Sequence, residues 1–225
     1  MKFTGAAATK AVAEIVLLDN KFSHLPQVLS EGRRVSANIE RVANLFVIKN
    51  VYSLVLALAV TVAGLAYPYL PIQMTIISTL SIGVPAFFLA LAPNNRLYRA
   101  GFLKRVLNFA IPVGLIGASA MMAIYYLVQR RGMSGEIAGT SVAIVAMLIG
   151  LTVLVILARP LRGWKLGLIL TCGIAFALII TVPDFAKMFR FNLDLTLLPI
   201  TLLVGAISVG LIVLATKIGW RRAQT

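Results

Sequence analysis

Polar positions thin out along this chain after about residue 42, and apolar runs near 20 residues in length take over. Six such runs follow, over approximately 43–66, 70–92, 108–128, 137–158, 165–183 and 196–217. Each approaches the ~20 residues that carry an α-helix across a hydrocarbon core of ~30 Å. The pattern predicts an all-α membrane protein with six transmembrane helices.

The first 42 residues follow a different pattern. AEIVLL (residues 13–18) is a short apolar, partly β-branched run closed by Asp19 and Asn20, and it reads as a buried strand followed by a turn. It is too short to form a core, and alone it would leave both strand edges open. From Pro26 onward Val28, Leu29, Val35, Ile39, Val42, Leu45 and Phe46 recur at roughly helical spacing, with Glu31, Arg33, Arg34, Glu40 and Arg41 on the other faces. No Gly or Pro separates this amphipathic segment from the first apolar run. The division expected is therefore a head over 1–25, a stalk helix over 26–42 continuous with the first span, a transmembrane domain over 43–217 and a polar tail over 218–225.

Composition agrees with the bilayer reading. The chain of 225 residues is 60% apolar and 12% charged, where a soluble domain carries about 25% charged residues; its mean hydropathy is +0.96. The net charge of +14 would suggest nucleic acid in a soluble protein. Here the basic residues gather between spans, so the partner implied is a lipid bilayer and nucleic acid is excluded. Placing the N-terminal segment, the 93–107 and 159–165 loops and the tail on one side leaves only Arg130, Arg131, Lys187 and Arg190 on the other. That asymmetry predicts that both termini are cytoplasmic. Cys172 lies within an apolar run and His24 has no second histidine, which removes disulfide frameworks and thiol metal sites from consideration. The start, MKFTGAAATKAVAEI, lacks the charged, apolar, small-residue order of a signal peptide.

One span carries a flaw. TIISTLSIGVPAFFLALAPNN (residues 75–95) holds Gly83 and Pro85 at its middle. Proline removes an N–H and clashes with the carbonyl four residues back, which frees the C=O of Ser81. An unpaired carbonyl in hydrocarbon costs several kcal/mol, yet transporters place such breaks at mid-membrane, where loosened carbonyls coordinate cations. Ser81, Ile82 and Gly83 are positioned to offer backbone oxygen, and Thr75, Ser78, Thr79 and Ser81 to offer hydroxyls, the hard ligands such ions prefer. The competing reading is a packing kink whose Ser and Thr only satisfy backbone. On the preceding span Lys49, Asn50 and Ser53 share one helix side. A buried lysine there is functional by default, although Lys49 lies roughly 12 Å past Arg41 at ~1.5 Å per residue, and snorkelling toward water is the alternative.

In the later spans Gly114, Gly117, Ala118 and Ala120 form a small face for close helix contact. Pro112 is placed in the first turns of its span, where proline is tolerated. Asp184 and Asp194 read as solvated charges. Arg159, Arg162, Trp164 and Lys165, like Trp220, Arg221 and Arg222, read as interfacial anchors.

The same residues carry a resemblance. GAAATKAVAEIVLLDNKFSHLPQVLSEGRRVSANIERV resembles the end of the phosphorylation domain of a P-type cation-transporting ATPase and its lead-in to the fifth membrane helix. The matching positions are Gly5, Lys10, Glu14 to Leu18, Asp19, Phe22, Glu31-Gly32-Arg33 and the Asn38-Ile39 pair. LPIQMTIISTLSIGVPAFFLALAPN resembles the family's sixth helix through its proline and glutamine start and its Gly-x-Pro centre. Within the family the chain looks most like the actinobacterial E type.

The resemblance implies helices five to ten of a pump, with residues 1–25 a remnant of the phosphorylation domain. It implies coupling to that domain through Glu31, Gly32 and Arg33, and a cation pathway through Lys49, Asn50, Ser53, Ser78, Ser81, Ile82, Gly83 and Pro85. Asn50 matches a position that supplies a side-chain ligand in related pumps. The implied setting is a bacterial inner membrane, the implied cargo a metal cation with calcium favoured, and no particular ligand set is defined. ATP and magnesium belong to the intact pump, and the chain itself is expected to hold no cofactor.

The departures are as informative. No Asp or Glu occurs between Glu40 and Glu136, so Ser53 and Ile82 stand where related pumps place acids. Carbonyls, hydroxyls and one amide hold a divalent ion weakly. Either a fourth helix supplies a carboxylate, or the ion is monovalent or loosely held. The Asp-Lys-Thr-Gly-Thr, Thr-Gly-Glu and Gly-Asp-Gly-x-Asn-Asp motifs of the family do not occur in this chain. No catalytic residue is therefore assigned, no ATP hydrolysis is expected of the chain alone, and the expected partner is the N-terminal remainder of a pump, if that is encoded separately. A stand-alone six-span carrier, channel or pump-associated subunit is the alternative.

Overall fold

The computed structural model of the chain describes residues 11–13, 16, 21–92, 101–161 and 163–222, with side chains as far as Lys217. Among the described residues, six helices are long and apolar enough to cross a membrane. They are α1 (Leu25–Val62), α2 (Pro71–Leu91), α3 (Phe102–Arg130), α4 (Gly135–Ala158), α5 (Trp164–Thr181) and α7 (Leu198–Arg222); the short α6 (Pro183–Met188) precedes the last. Among the described residues there is no strand, and the strand expected over 13–18 falls for the most part outside them.

Helix α1 runs for 38 residues without a break, about 57 Å at ~1.5 Å per residue, nearly twice a bilayer core. Proline in its first turn removes an N–H that would be unbonded there anyway. At its far end the N–H of Gly64 bonds Thr61 O at 3.1 Å and that of Leu65 bonds Val60 O at 2.9 Å. This is a Schellman ending, which needs the left-handed backbone that Gly64 adopts (φ 64). Gly132 closes α3 in the same way, with φ 66 and bonds from residues 132 and 133 back to Gln129 and Val128. Both hairpins therefore turn sharply at one end of the bundle, called here the hairpin end; the opposite end, toward which α1 extends, is the stalk end.

Helix α4 is apolar on every face and sits in the middle, as such helices do; every residue from Ala138 to Met147 is buried. It touches α1, α2, α3, α5 and α7, while α1 lies along α3 for most of its membrane length. The small face of α3 is where α1 comes nearest: a Cβ on Gly114 would lie 2.4 Å from Val51 Cγ1, and one on Gly117 would lie 3.7 Å from Tyr52 Cβ. Helix α3 starts at Phe102, well before the apolar run near 108, so Pro112 lies inside the helix and not in its first turns. Leu54, Leu58, Phe87, Leu115, Ile174 and Leu203 remain exposed. This apolar belt, together with the six spans, makes the chain a multi-pass membrane protein.

The hairpin end is tied by polar contacts. Tyr125 Oη donates to Ala66 O at 2.7 Å and accepts from Gln129 Nε2 at 2.9 Å. Gln73, 1% exposed, accepts from Leu70 N at 3.1 Å and donates to Arg190 O at 2.6 Å. Burial pushes the phenol of the neighbouring Tyr69 far above its ordinary range, with Tyr52 and Tyr67 adding to the effect.

Candidate cation site

Helix α2 changes its winding just ahead of Pro85. Pro71–Ser78 and Val84–Leu91 are α-helical, and Thr79–Gly83 between them is a π turn. The N–H of Val84 bonds Thr79 O, five residues back. Leu80 C=O then loses both of its ordinary helical partners: Val84 N–H is engaged one residue earlier, and residue 85, a proline, has no N–H. The loosened backbone therefore includes Leu80, ahead of the Ser81 carbonyl expected from proline alone. Single π turns of this kind recur at functional sites.

The hydroxyls around the break bond back along their own helix. Thr75 Oγ1 donates to Pro71 O at 3.0 Å, Ser78 Oγ to Met74 O at 2.7 Å and Ser81 Oγ to Ile77 O at 2.7 Å. Such a hydroxyl uses its proton, while its oxygen lone pairs remain available to a cation. Ser81 and Ile82 are buried at 2% and 4% exposure. Ser81 presses on α4 at Gly150, where an added Cβ would lie 2.6 Å from Ser81 Cβ and 3.1 Å from its Oγ. Pro85 is also buried, Ser78 is half-buried, and Thr79 and Gly83 are exposed. The π turn thus packs on α4 and α5 and touches α1, while Thr79 and Gly83 remain open.

On α1, Asn50 is exposed and Lys49 and Ser53 are half-buried. The Ser53 hydroxyl is buried and finds no hydrogen-bond partner among the described residues; the Tyr69 phenol approaches it, but not in hydrogen-bonding geometry. The structure brings Ser78, Ser81, Ile82, Gly83 and Pro85 together through α2 alone, and it leaves Asn50 exposed on α1. At the stalk, Glu31 pairs with Arg34 at 2.6 Å, Gly32 is exposed and Arg33 is half-buried. Glu31 and Gly32 line an open, largely apolar groove of about 880 Å³ with Gln27, Val28, Val35, Ser36, Ile39 and Phe102.

Among the described residues no cluster of three or more His, Cys, Asp or Glu could hold a metal. What the break itself offers is neutral oxygen: the Leu80 carbonyl and the Ser81 hydroxyl. Two contributors were missed from sequence. Leu80 gave no signal, because its side chain is irrelevant. Gly150 gave only a weak one, as a glycine within an otherwise apolar helix.

No protein-family profile matches the chain. It is 41% identical over 237 aligned residues to the calcium-transporting ATPase CtpE of Mycobacterium bovis, covering 98% of this chain and 29% of that protein. The calcium-transporting ATPase CtpE of Mycolicibacterium smegmatis is 41% identical over 84% of this chain and 26% of its own length. The probable cation-transporting ATPase exp7 of Streptococcus pneumoniae is 28% identical over 84% of this chain and 25% of its own length. The chain thus spans 29% of the length of the M. bovis relative. Similarity at this level over nearly all of its residues makes the chain a homologue of part of the P-type cation-transporting ATPases, the family its motifs resemble.

Proposed function

We propose that this chain is the C-terminal membrane part of an ATP-driven cation pump, that α1 and α2 supply part of the cation pathway, and that the cargo is calcium. The observation that carries the reading is the π turn before Pro85. It leaves a carbonyl without a helical partner midway along a span whose other polar backbone must be bonded. The names of the 41% identical relatives support calcium.

On this reading the neutral oxygens of the break form half a site. Calcium takes six to eight oxygens, and its affinity rises with ligand charge. The open side of the π turn, at Thr79 and Gly83, and the exposed Asn50 are where a further helix of the pump would bring a carboxylate. ATP and magnesium act in the rest of the pump, and α1, unbroken from Leu25 to Val62, carries displacement from the stalk past Asn50 and Ser53. The loop charges support cytoplasmic placement of both termini, and the bacterial relatives support an inner-membrane location.

The test replaces the matching segment of the M. smegmatis relative with this chain and measures uptake of radioactive calcium into inside-out vesicles. ATP-dependent uptake is expected. A chimera that inserts and forms phosphoenzyme from labelled ATP, yet moves no calcium, overturns the proposal. Calcium flux through the purified chain in liposomes without ATP would instead support a stand-alone channel or carrier.

A further inference from the structure

The Asn-Ile pair at residues 38 and 39 divides sharply in its surroundings. Ile39 is 54% exposed, whereas Asn38 is 2% exposed. Asn38 faces the end of α2, whose last turn holds no basic residue and whose final carbonyls have no intrahelical partners. Its Nδ2 donates to Ala90 O at 2.9 Å and to Ala92 O at 2.7 Å. Its Oδ1 accepts from Arg41 Nη1 at 3.3 Å. An amide is suited to this task, because one NH₂ group supplies a donor to each carbonyl while its oxygen accepts. In the same turn of α1, Glu40 holds Arg105 at the start of α3 with two bonds, at 3.0 and 2.7 Å.

We infer that Asn38 is a positioning residue for cation transport, the side chain through which movement of the stalk is handed to α2 and its π turn. This rests on the pump reading above. Apolar contact between α1 and α2 is non-directional and lets helices slide. Two buried hydrogen bonds are directional, and breaking them leaves two carbonyls unsatisfied. From Ala90 the helix runs back to Gly83 in seven residues, about 10 Å of regular α-helix. A shift of Asn38 therefore reaches the break through one short, stiff segment. Glu40 and Arg105 tie α3 to the same turn of the stalk, so α2 and α3 both move with it.

The experiment has two arms. In the chimeric pump, Asn38→Ala should lower calcium moved per ATP hydrolysed at least fivefold, while phosphoenzyme formation stays within twofold of the unmodified chimera. Asn38→Gln, which keeps both donors on a longer arm, should fall between the two, and Ile39→Ala should leave the ratio unchanged. Transport and phosphoenzyme falling in parallel, or an unchanged ratio in Asn38→Ala, overturns the inference. In the second arm, the chain in lipid nanodiscs is followed by hydrogen exchange. Asn38→Ala should speed exchange over 79–92 at least tenfold and leave 135–158 unchanged; equal exchange over 79–92 also overturns it. If the unmodified chimera does not pump, the pump reading falls, and the exchange arm alone decides whether Asn38 holds α2.

Discussion

Replacing Gly150 with alanine drives a methyl group into the π turn of α2. The added Cβ would lie 2.6 Å from Ser81 Cβ, whereas carbon atoms in contact settle at about 3.5–4.0 Å. The two helices must therefore part by about 1 Å at this point, or Ser81 must turn. Ser81 is 2% exposed and held to Ile77 O at 2.7 Å, so it has little room. Overpacking of this kind costs about 1–3 kcal/mol. Gly210 supplies the control: it lies inside α7, and an added Cβ there meets nothing within 4 Å. Both variants gain the same helix propensity, ~1 kcal/mol for alanine over glycine, so their difference isolates the clash. At about 2–4 °C per kcal/mol, Gly150→Ala should melt about 2–12 °C below Gly210→Ala in matched detergent. Melting of the two variants at the same temperature would refute the close approach of α4 to the break.

Further outcomes follow from single contacts. Ser53 finds no hydrogen-bond partner among the described residues, so Ser53→Ala should leave the melting temperature of the chain unchanged or slightly raised and still weaken calcium affinity in the chimera; a lowered melting point with unchanged affinity contradicts this. The Glu40–Arg105 pair is about one-third exposed at each partner, so Glu40→Gln should cost at most ~1 kcal/mol, and less at high salt, as thermal unfolding at two salt concentrations would show. Asp194 accepts from the Thr196 hydroxyl at 2.5 Å and its amide at 2.7 Å, and these bonds hold its carboxyl below its ordinary value. Because the folded value is depressed, its contribution is present above the ordinary carboxylate pKa of about 3.9 and is lost as pH falls through the folded value. The Thr196 amide should thus keep its protection from exchange, relative to its intrinsic rate, as pH falls through the ordinary carboxylate range, and lose it only at lower pH; loss of protection already at or above the ordinary carboxylate pKa would contradict the turn.

How far the sequence could be read depended on what kind of physics placed each residue. The spans and the long α1 were legible because lipid demands ~20 apolar residues, and because Arg33 to Val62 contains no breaker. Pro85 announced a missing N–H by its chemistry alone. The π register did not follow from it, because a proline says nothing about whether the ladder upstream slips by one residue, and the slip brings Leu80 into the site. Contacts between distant segments were also silent. Neither Gly150 against Ser81 nor Asn38 against Ala90 has any local pattern, although Asn38 stood out as a motif. The start of α3 was read too late because Phe102 to Arg105 is polar enough to leave the hydropathy run, yet Glu40 holds that turn in place. Asn50 was legible as polar but not as exposed, since exposure depends on which helices surround α1.

The claim that the break at Pro85 is part of the cation site meets its most direct test in the calcium dependence of uptake by the chimera carrying Pro85→Ala. Alanine restores the N–H of residue 85 and gives one loosened carbonyl a helical partner. The account predicts that half-maximal uptake then requires at least tenfold more calcium, with phosphoenzyme formation retained. Uptake with the same calcium dependence as the unmodified chimera would contradict it and return Pro85 to the role of a packing kink.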